Sequence, residues 1–438
     1  MNRLFFTKKL IWLSTFLIVI QLQVLAQEND LYNQIKSFPE VVSVQKIEQY
    51  PFFTEAYEIL IEQYLDHGNP AAGKFNQRVI LSNYNKFSPV IFVTEGYKAD
   101  YATKESYVNE LSKILEGNQL VVEHRYFGKS MPDNPNWDYL TVENSCADLH
   151  RIMKIFKRLY NNQNKWIATG ISKGGTTTLA YKAFYPNDMD IWVPYVGPIA
   201  FGVEDSRLEK FLTKVGSKTC REKVLAFQKM ILLKRDSIQP LLDNLIQVKK
   251  YTYPIGNEEV LDYIVLEYSF SFWQWGHSCT EIPEEQANIH KKLEHLIAVT
   301  KLDYMSYEGI APIQAFYVQA AKELGYYRYD VKPLLPYLKI KSTKGYLSKI
   351  FLPDNTSFSF SKKTSSSIQK AIQNDGEHVL MIYGEYDPWT ACALNLTEKS
   401  KAVRIVVPKG SHRVRIGNMP YAQKAQIYMI LETWLTED

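Results

Sequence analysis

Cysteine is scarce, with four in 438 residues, which excludes the disulfide-dense scaffolds of small secreted domains. Glycine and proline are ordinary at 20 and 19 and show no period, so a collagen-like or low-complexity chain is excluded as well. No block of lysine and arginine is present to track a phosphate backbone, and nucleic acid is a poor partner for this chain. His, Cys, Asp and Glu nowhere fall at metal-ligand spacing, and there is no glycine-rich phosphate loop; no metal and no cofactor are expected. Beyond the first 26 residues no apolar run is long enough to span a bilayer. What remains is the composition of a globular protein, 46% hydrophobic and 22% charged.

The formal charge of +4 is concentrated at the start. Arg3, Lys8 and Lys9 precede an apolar run over residues 10–20, and Val24-Leu25-Ala26 supplies small residues at the −3 and −1 positions. This is the pattern of a cleavable export signal over residues 1–26, with a signal anchor as the competing reading. No cysteine stands at the cleavage site to take a lipid. Removing the signal leaves 48 basic against 47 acidic residues, a net charge of +1. The expected product is an exported, periplasmic or secreted protein without stable membrane insertion.

Strands and helices then alternate, as in a parallel sheet covered on both faces. Strands are expected over residues 75–83, 89–94, 119–123, 165–169 and 191–196, with helices over 104–115 and 142–160. From about 201 to 375 the sequence reads as helices and aromatic-rich loops. Strands resume at 379–383 and 402–407, and an amphipathic helix over 421–435 closes the chain. The expected division is a core over residues 27–200 and 376–438, split by a helical cap over 201–375.

The strand at 165–169 runs into Gly170-Ile171-Ser172-Lys173-Gly174-Gly175 and then a helix over 176–185. G-x-S-x-G between strand and helix is the setting that holds a nucleophilic serine in a strained turn near free helix N–H groups. A serine needs a base, and the base needs an orienting carboxylate. In α/β-hydrolases these follow in the order Ser, Asp or Glu, His, each after a core strand. Asp387 in Gly384-Glu385-Tyr386-Asp387-Pro388-Trp389 and His412 in Gly410-Ser411-His412 meet that order, with Glu385 as the rival acid. The other histidines precede the serine, lie in the cap or open a strand. The oxyanion hole is expected from the N–H of Lys173 and that of Gly96 or Tyr97 in Thr94-Glu95-Gly96-Tyr97.

Several motifs resemble known peptidases. Gln63-Tyr64-Leu65-Asp66-His67-Gly68-Asn69-Pro70 with Phe75-Asn76-Gln77-Arg78, Glu123-His124-Arg125-Tyr126-Phe127-Gly128-Lys129-Ser130-Met131-Pro132, Trp275-Gly276-His277-Ser278-Cys279-Thr280-Glu281 and Asp387-Pro388-Trp389 resemble the prolyl carboxypeptidase and dipeptidyl peptidase II family. Ser172-Lys173-Gly174-Gly175, Phe184-Tyr185-Pro186-Asn187-Asp188-Met189-Asp190 and Val193-Pro194-Tyr195-Val196 are closer to a sister family, the secreted bacterial tripeptidyl aminopeptidases. The resemblance implies an α/β-hydrolase with a helical cap that cuts peptides near a free N-terminus, often after proline. His277-Ser278 departs from the usual Gln-Thr before the cysteine. An exopeptidase needs a carboxylate for the substrate's amino group; Glu95 beside the oxyanion loop and Glu323 in the cap are the candidates. Each also has a structural or solvated reading. Among the cysteines, Cys220 with Cys279 makes a local pair in the cap, while Cys146 and Cys392 share the core; free thiols are equally open. An esterase or lipase on the same three residues, or a non-catalytic binding relative, are the alternative functions.

Overall fold

The computed structural model describes residues 31–48, 51–160 and 164–437; the export signal expected over 1–26 lies outside them. Nine strands make one sheet: β1 (Val41–Lys46), β2 (Glu55–Tyr64), β3 (Lys74–Asn83), β4 (Val90–Thr94), β5 (Asn118–Val122), β6 (Trp166–Ile171), β7 (Ile191–Tyr195), β8 (Leu380–Gly384) and β9 (Val403–Val407). Their order across the sheet is β1-β2-β3-β5-β4-β6-β7-β8-β9. β1, β2 and β3 pair antiparallel, and β3 meets β5 antiparallel; from β5 to β9 every pairing is parallel.

The burial of each strand follows from its place. β2 alternates along its second half, with Ile59, Ile61 and Gln63 buried between partly exposed neighbours, as expected of an antiparallel strand covered mainly on one face. β4, β5, β7 and β8 are buried at every position, which requires helices on both faces. One face is covered by helices Val142–Phe156, Lys173–Phe184 and Lys363–Asn374, the other by Glu110–Leu115 and Tyr421–Thr436. The order β5-β4-β6 means that the chain winds one way from β4 and then the other. The crevice beyond the carboxyl ends of β4 and β6 is where such sheets bind ligands.

Between β7 and β8 the chain builds a separate apolar cluster from helices Ser206–Leu212, Lys218–Leu233, Arg235–Lys249, Asn257–Trp275 and Ile289–Thr300. Helix Asn257–Trp275 is buried almost all round and is the spine of this layer. It stops at Gly276, whose φ of 72° is the left-handed cap that glycine adopts without penalty. This is an α/β-hydrolase core carrying a helical insertion.

One expectation needs correction, and one open alternative is decided. The helix expected over 104–115 starts at Glu110, because the Asn109 side chain accepts the Leu111 N–H and caps it there; the preceding residues are loop and lay Tyr101 edge-on to Tyr107. Of the two alternatives open for Cys146 and Cys392, a pair or free thiols, the structure has free, buried thiols.

Cys220 and Cys279 are joined, with Cα atoms 5.7 Å apart and a sequence separation of 59. The bond ties helix Lys218–Leu233 to the loop after Gly276. Cys220→Ser with Cys279→Ser is expected to lower stability by up to about 4 kcal/mol through chain entropy, read as a lower denaturant midpoint of the oxidised protein. A midpoint equal to wild type would show that the loop is held by packing alone.

Candidate active site

β6 delivers the chain to Ser172, whose φ of 58° and ψ of −121° lie outside the regions that L-residues favour. Holding a residue there costs about 1–3 kcal/mol and persists only if its surroundings enforce it. The neighbouring glycines do so. A Cβ on Gly170 would sit 2.3 Å from the Gly174 carbonyl oxygen, and one on Gly174 would sit 2.6 Å from that of Thr94. Helix Lys173–Phe184 begins at once, so its first N–H groups surround the serine.

β8 and β9 end on the same side. Asp387, three residues past β8, is fully buried; its Oδ1 accepts the Trp389 N–H at 3.1 Å, and its Oδ2 lies 2.6 Å from His412 Nδ1. The carboxylate therefore accepts a hydrogen bond from Nδ1–H, which keeps that proton on Nδ1 and leaves Nε2 as the basic nitrogen. His412 is 5% exposed. Its own N–H donates to the Gln274 carbonyl at 2.9 Å, and Trp275 stands edge-on to its ring, so the end of helix Asn257–Trp275 fixes the histidine loop. Glu385, the rival acid, is exposed and accepts the Lys409 N–H at 2.7 Å, which leaves it bracing that loop. His124 is buried with Nδ1 on the Arg125 carbonyl, and His67 pairs with Asp148.

Ser172, His412, Lys173, Tyr97 and Glu95 border one cleft of about 690 Å³, roofed by the insertion. Gly96 packs against the serine turn: a Cβ there would sit 2.6 Å from Lys173 Cβ, so only glycine lets the two loops approach. Glu95 accepts the Tyr101 hydroxyl. Burial pushes its carboxyl up to about 7 against the pull of Tyr101, the Gly96 N–H and the Lys173 ammonium. Burial also drives Lys173 well below the usual lysine range, with its ammonium over the rings of Tyr97 and Phe127. Glu323 does not reach the cleft. It takes the Val142 N–H at 2.7 Å and the Thr364 hydroxyl at 2.9 Å, a structural tie between the insertion and the start of helix Val142–Phe156.

The sequence reading missed Glu267, a lone carboxylate within Ile264-Val265-Leu266-Glu267-Tyr268, which borders the cleft beside Tyr304, Tyr326 and Tyr327. A charge inside an apolar helical run was the available signal. Among the described residues no group of three or more His, Cys, Asp and Glu is placed to hold a metal ion.

Comparison with known proteins agrees with the motif resemblance. The chain is 27% identical over 423 residues to a prolyl tri/tetrapeptidyl aminopeptidase of Streptomyces mobaraensis, covering 93% of this chain and 86% of that protein. It is 26% identical over 153 residues to the lysosomal Pro-X carboxypeptidase of Homo sapiens, 31% of each chain. Among solved structures it is similar to a proline iminopeptidase of Mycobacterium smegmatis, with a TM-score of 0.40, 13% identity, and coverage of 82% of this chain and 96% of that one. A profile of PS-10 peptidase S37 matches residues 27–436; the chain belongs to that family and is a serine-type peptidase.

Proposed function

We propose that the protein is an exported exopeptidase that removes short peptides from a free N-terminus, with Ser172 as nucleophile, His412 as base and Asp387 as the orienting acid. The observation that carries this reading is the buried His412–Asp387 bond, which frees Nε2 in the same cleft as the strained Ser172. His412 Nε2 takes the Ser172 Oγ proton as the oxygen attacks the scissile carbonyl, then passes it to the leaving amine; water releases the acyl-enzyme by the reverse proton path. The negative oxygen is met by the Lys173 N–H and by one from the β4 loop. Because the Gly96 N–H stabilises the Glu95 carboxylate, Tyr97 is the better second donor.

The roof supports action on peptides rather than folded proteins, since a cleft of about 690 Å³ holds a few residues. Tyr304, Tyr326 and Trp389 in its wall offer ring faces to a pyrrolidine, in keeping with a proline preference. The Streptomyces relative is named for prolyl substrates and for removing three or four residues. Glu95 lines the cleft at the start of the β4 loop, beside Gly96, and would face the residue being cut. Export is supported by the residue 1–26 pattern and by the Cys220–Cys279 bond; among the described residues no helix is long and apolar enough to cross a membrane.

Free-amine peptide amides, their N-acetylated forms and p-nitrophenyl esters, assayed side by side, test this reading. The free-amine peptides are expected to be cut at least about 10-fold more efficiently than the acetylated ones. Turnover of esters alone would assign an esterase instead.

A further inference from the structure

Several buried carboxylates elsewhere in the molecule hold a cationic or imidazole partner: Asp148 binds Arg125, Glu123 meets Arg78, Asp262 binds Arg235, and Asp188 and Asp387 each hold a histidine. Glu267 differs. It is 3% exposed, and its partners are hydroxyls. Oε1 accepts from Ser271, and Oε2 accepts from Tyr327 at 2.9 Å and Tyr329 at 2.7 Å. Burial pushes its carboxyl up to about 7, and no cation is among the groups that offset this. A carboxylate has about four acceptor sites; three are filled, and the side chain borders the cleft. Hydroxyls orient the charge without neutralising it, so the site remains complementary to a cation that arrives from the cleft.

The surrounding walls suit an ammonium group. Tyr327 stacks on Phe270 with centroids 3.9 Å apart and stands edge-on to Trp389 at 5.5 Å. The Tyr304 hydroxyl joins those of Tyr326 and Tyr327 at 2.8 and 2.9 Å. Aromatic faces and phenolic oxygens both attract a primary ammonium.

The placement also carries a length. Gln274, which accepts the His412 N–H, and Glu267 lie on the same helix. Two helical turns separate them, an axial rise of about 10 Å. Three extended residues reach about 10 Å. Glu95, in the β4 loop that would meet the negative oxygen, would stand at the reacting end of that span rather than at its far end.

We propose that Glu267 receives the protonated N-terminus of the substrate, and that its distance from the His412 end of the helix sets the cut after about three residues. This rests on the exopeptidase reading above. The test compares Ala-Ala-Pro p-nitroanilide with its N-acetylated form in wild type, Glu267→Gln and Glu267→Asp, each normalised to fluorophosphonate labelling and checked by thermal melting. Glu267→Gln is expected to lower the free-to-acetylated ratio of kcat/KM by about 30-fold or more, mainly through KM, and Glu267→Asp to restore part of it. A series of two-, three- and four-residue p-nitroanilides should peak at three for wild type and flatten for Glu267→Gln. An unchanged ratio in Glu267→Gln would overturn the assignment while leaving the exopeptidase reading intact. A wild-type ratio near one would overturn both. If the glutamine variant does not fold, Tyr329→Phe, which removes one orienting hydroxyl, is expected to lower the ratio by a few-fold, and an unchanged ratio there counts against the site.

Discussion

Ser172→Ala is expected to abolish fluorophosphonate labelling and to lower kcat on a tripeptide p-nitroanilide by about 10⁵–10⁶-fold. The alanine leaves the oxyanion donors and the cleft in place, so substrate binding should persist while acyl transfer stops. Alanine retains a Cβ, so it inherits the backbone strain at φ 58° and does not relieve it; thermal stability should change little. Asp387→Asn should cost about 10⁴-fold, because an amide favours the wrong histidine tautomer. Undiminished peptidase activity in Ser172→Ala would remove the serine from the mechanism, whatever the other variants do.

Arg125→Ala is expected to cost about 3–5 kcal/mol of stability, read as a lower urea midpoint, with no direct contact to the cleft. The Arg125 guanidinium is fully buried and spends all its donors. Nε and Nη2 reach Asp148 at 2.6 and 2.8 Å, Nη1 reaches the carbonyls of Leu65 and Tyr139, and Nη2 also reaches that of Tyr64. Its removal leaves Asp148 with only the weaker His67 partner and strips three carbonyls of a donor. A loss below about 1 kcal/mol would mean that water replaces the guanidinium. The motif around it works the same way. Glu123 accepts from Ala99 N–H at 2.9 Å and from both the N–H and hydroxyl of Ser130, holding the segment that follows the β4 loop. The Glu123–Ser130 stretch, part of the motif resemblance to known peptidases, braces the β4 loop through these bonds.

The readable features were local ones. Strand, tight turn and helix around Ser172 follow from six consecutive residues, since Gly170 and Gly174 have no room for a side chain. The loops after β8 and β9 announce themselves by strand ends, and the nearly all-buried strands by their β-branched runs. Less was legible where partners are remote in sequence. The helix at Glu110 depended on the Asn109 cap, and Glu323 read as a cap carboxylate until its partners proved to be Val142 and Thr364.

Chain order alone was enough to read an α/β core, a helical insertion and Ser172, Asp387 and His412 as the candidates for acyl transfer, because short-range sterics and strand periodicity dictate the turns that carry them. Which carboxylates face the cleft, and which are spent on bracing, depended on long-range packing. Glu267 stands 60 residues from Tyr327 in sequence yet shares a hydrogen bond with it, and the His412 loop is held by a carbonyl at Gln274. Desolvation and hydrogen-bond saturation set those roles, and both exist only once the insertion has closed over the sheet.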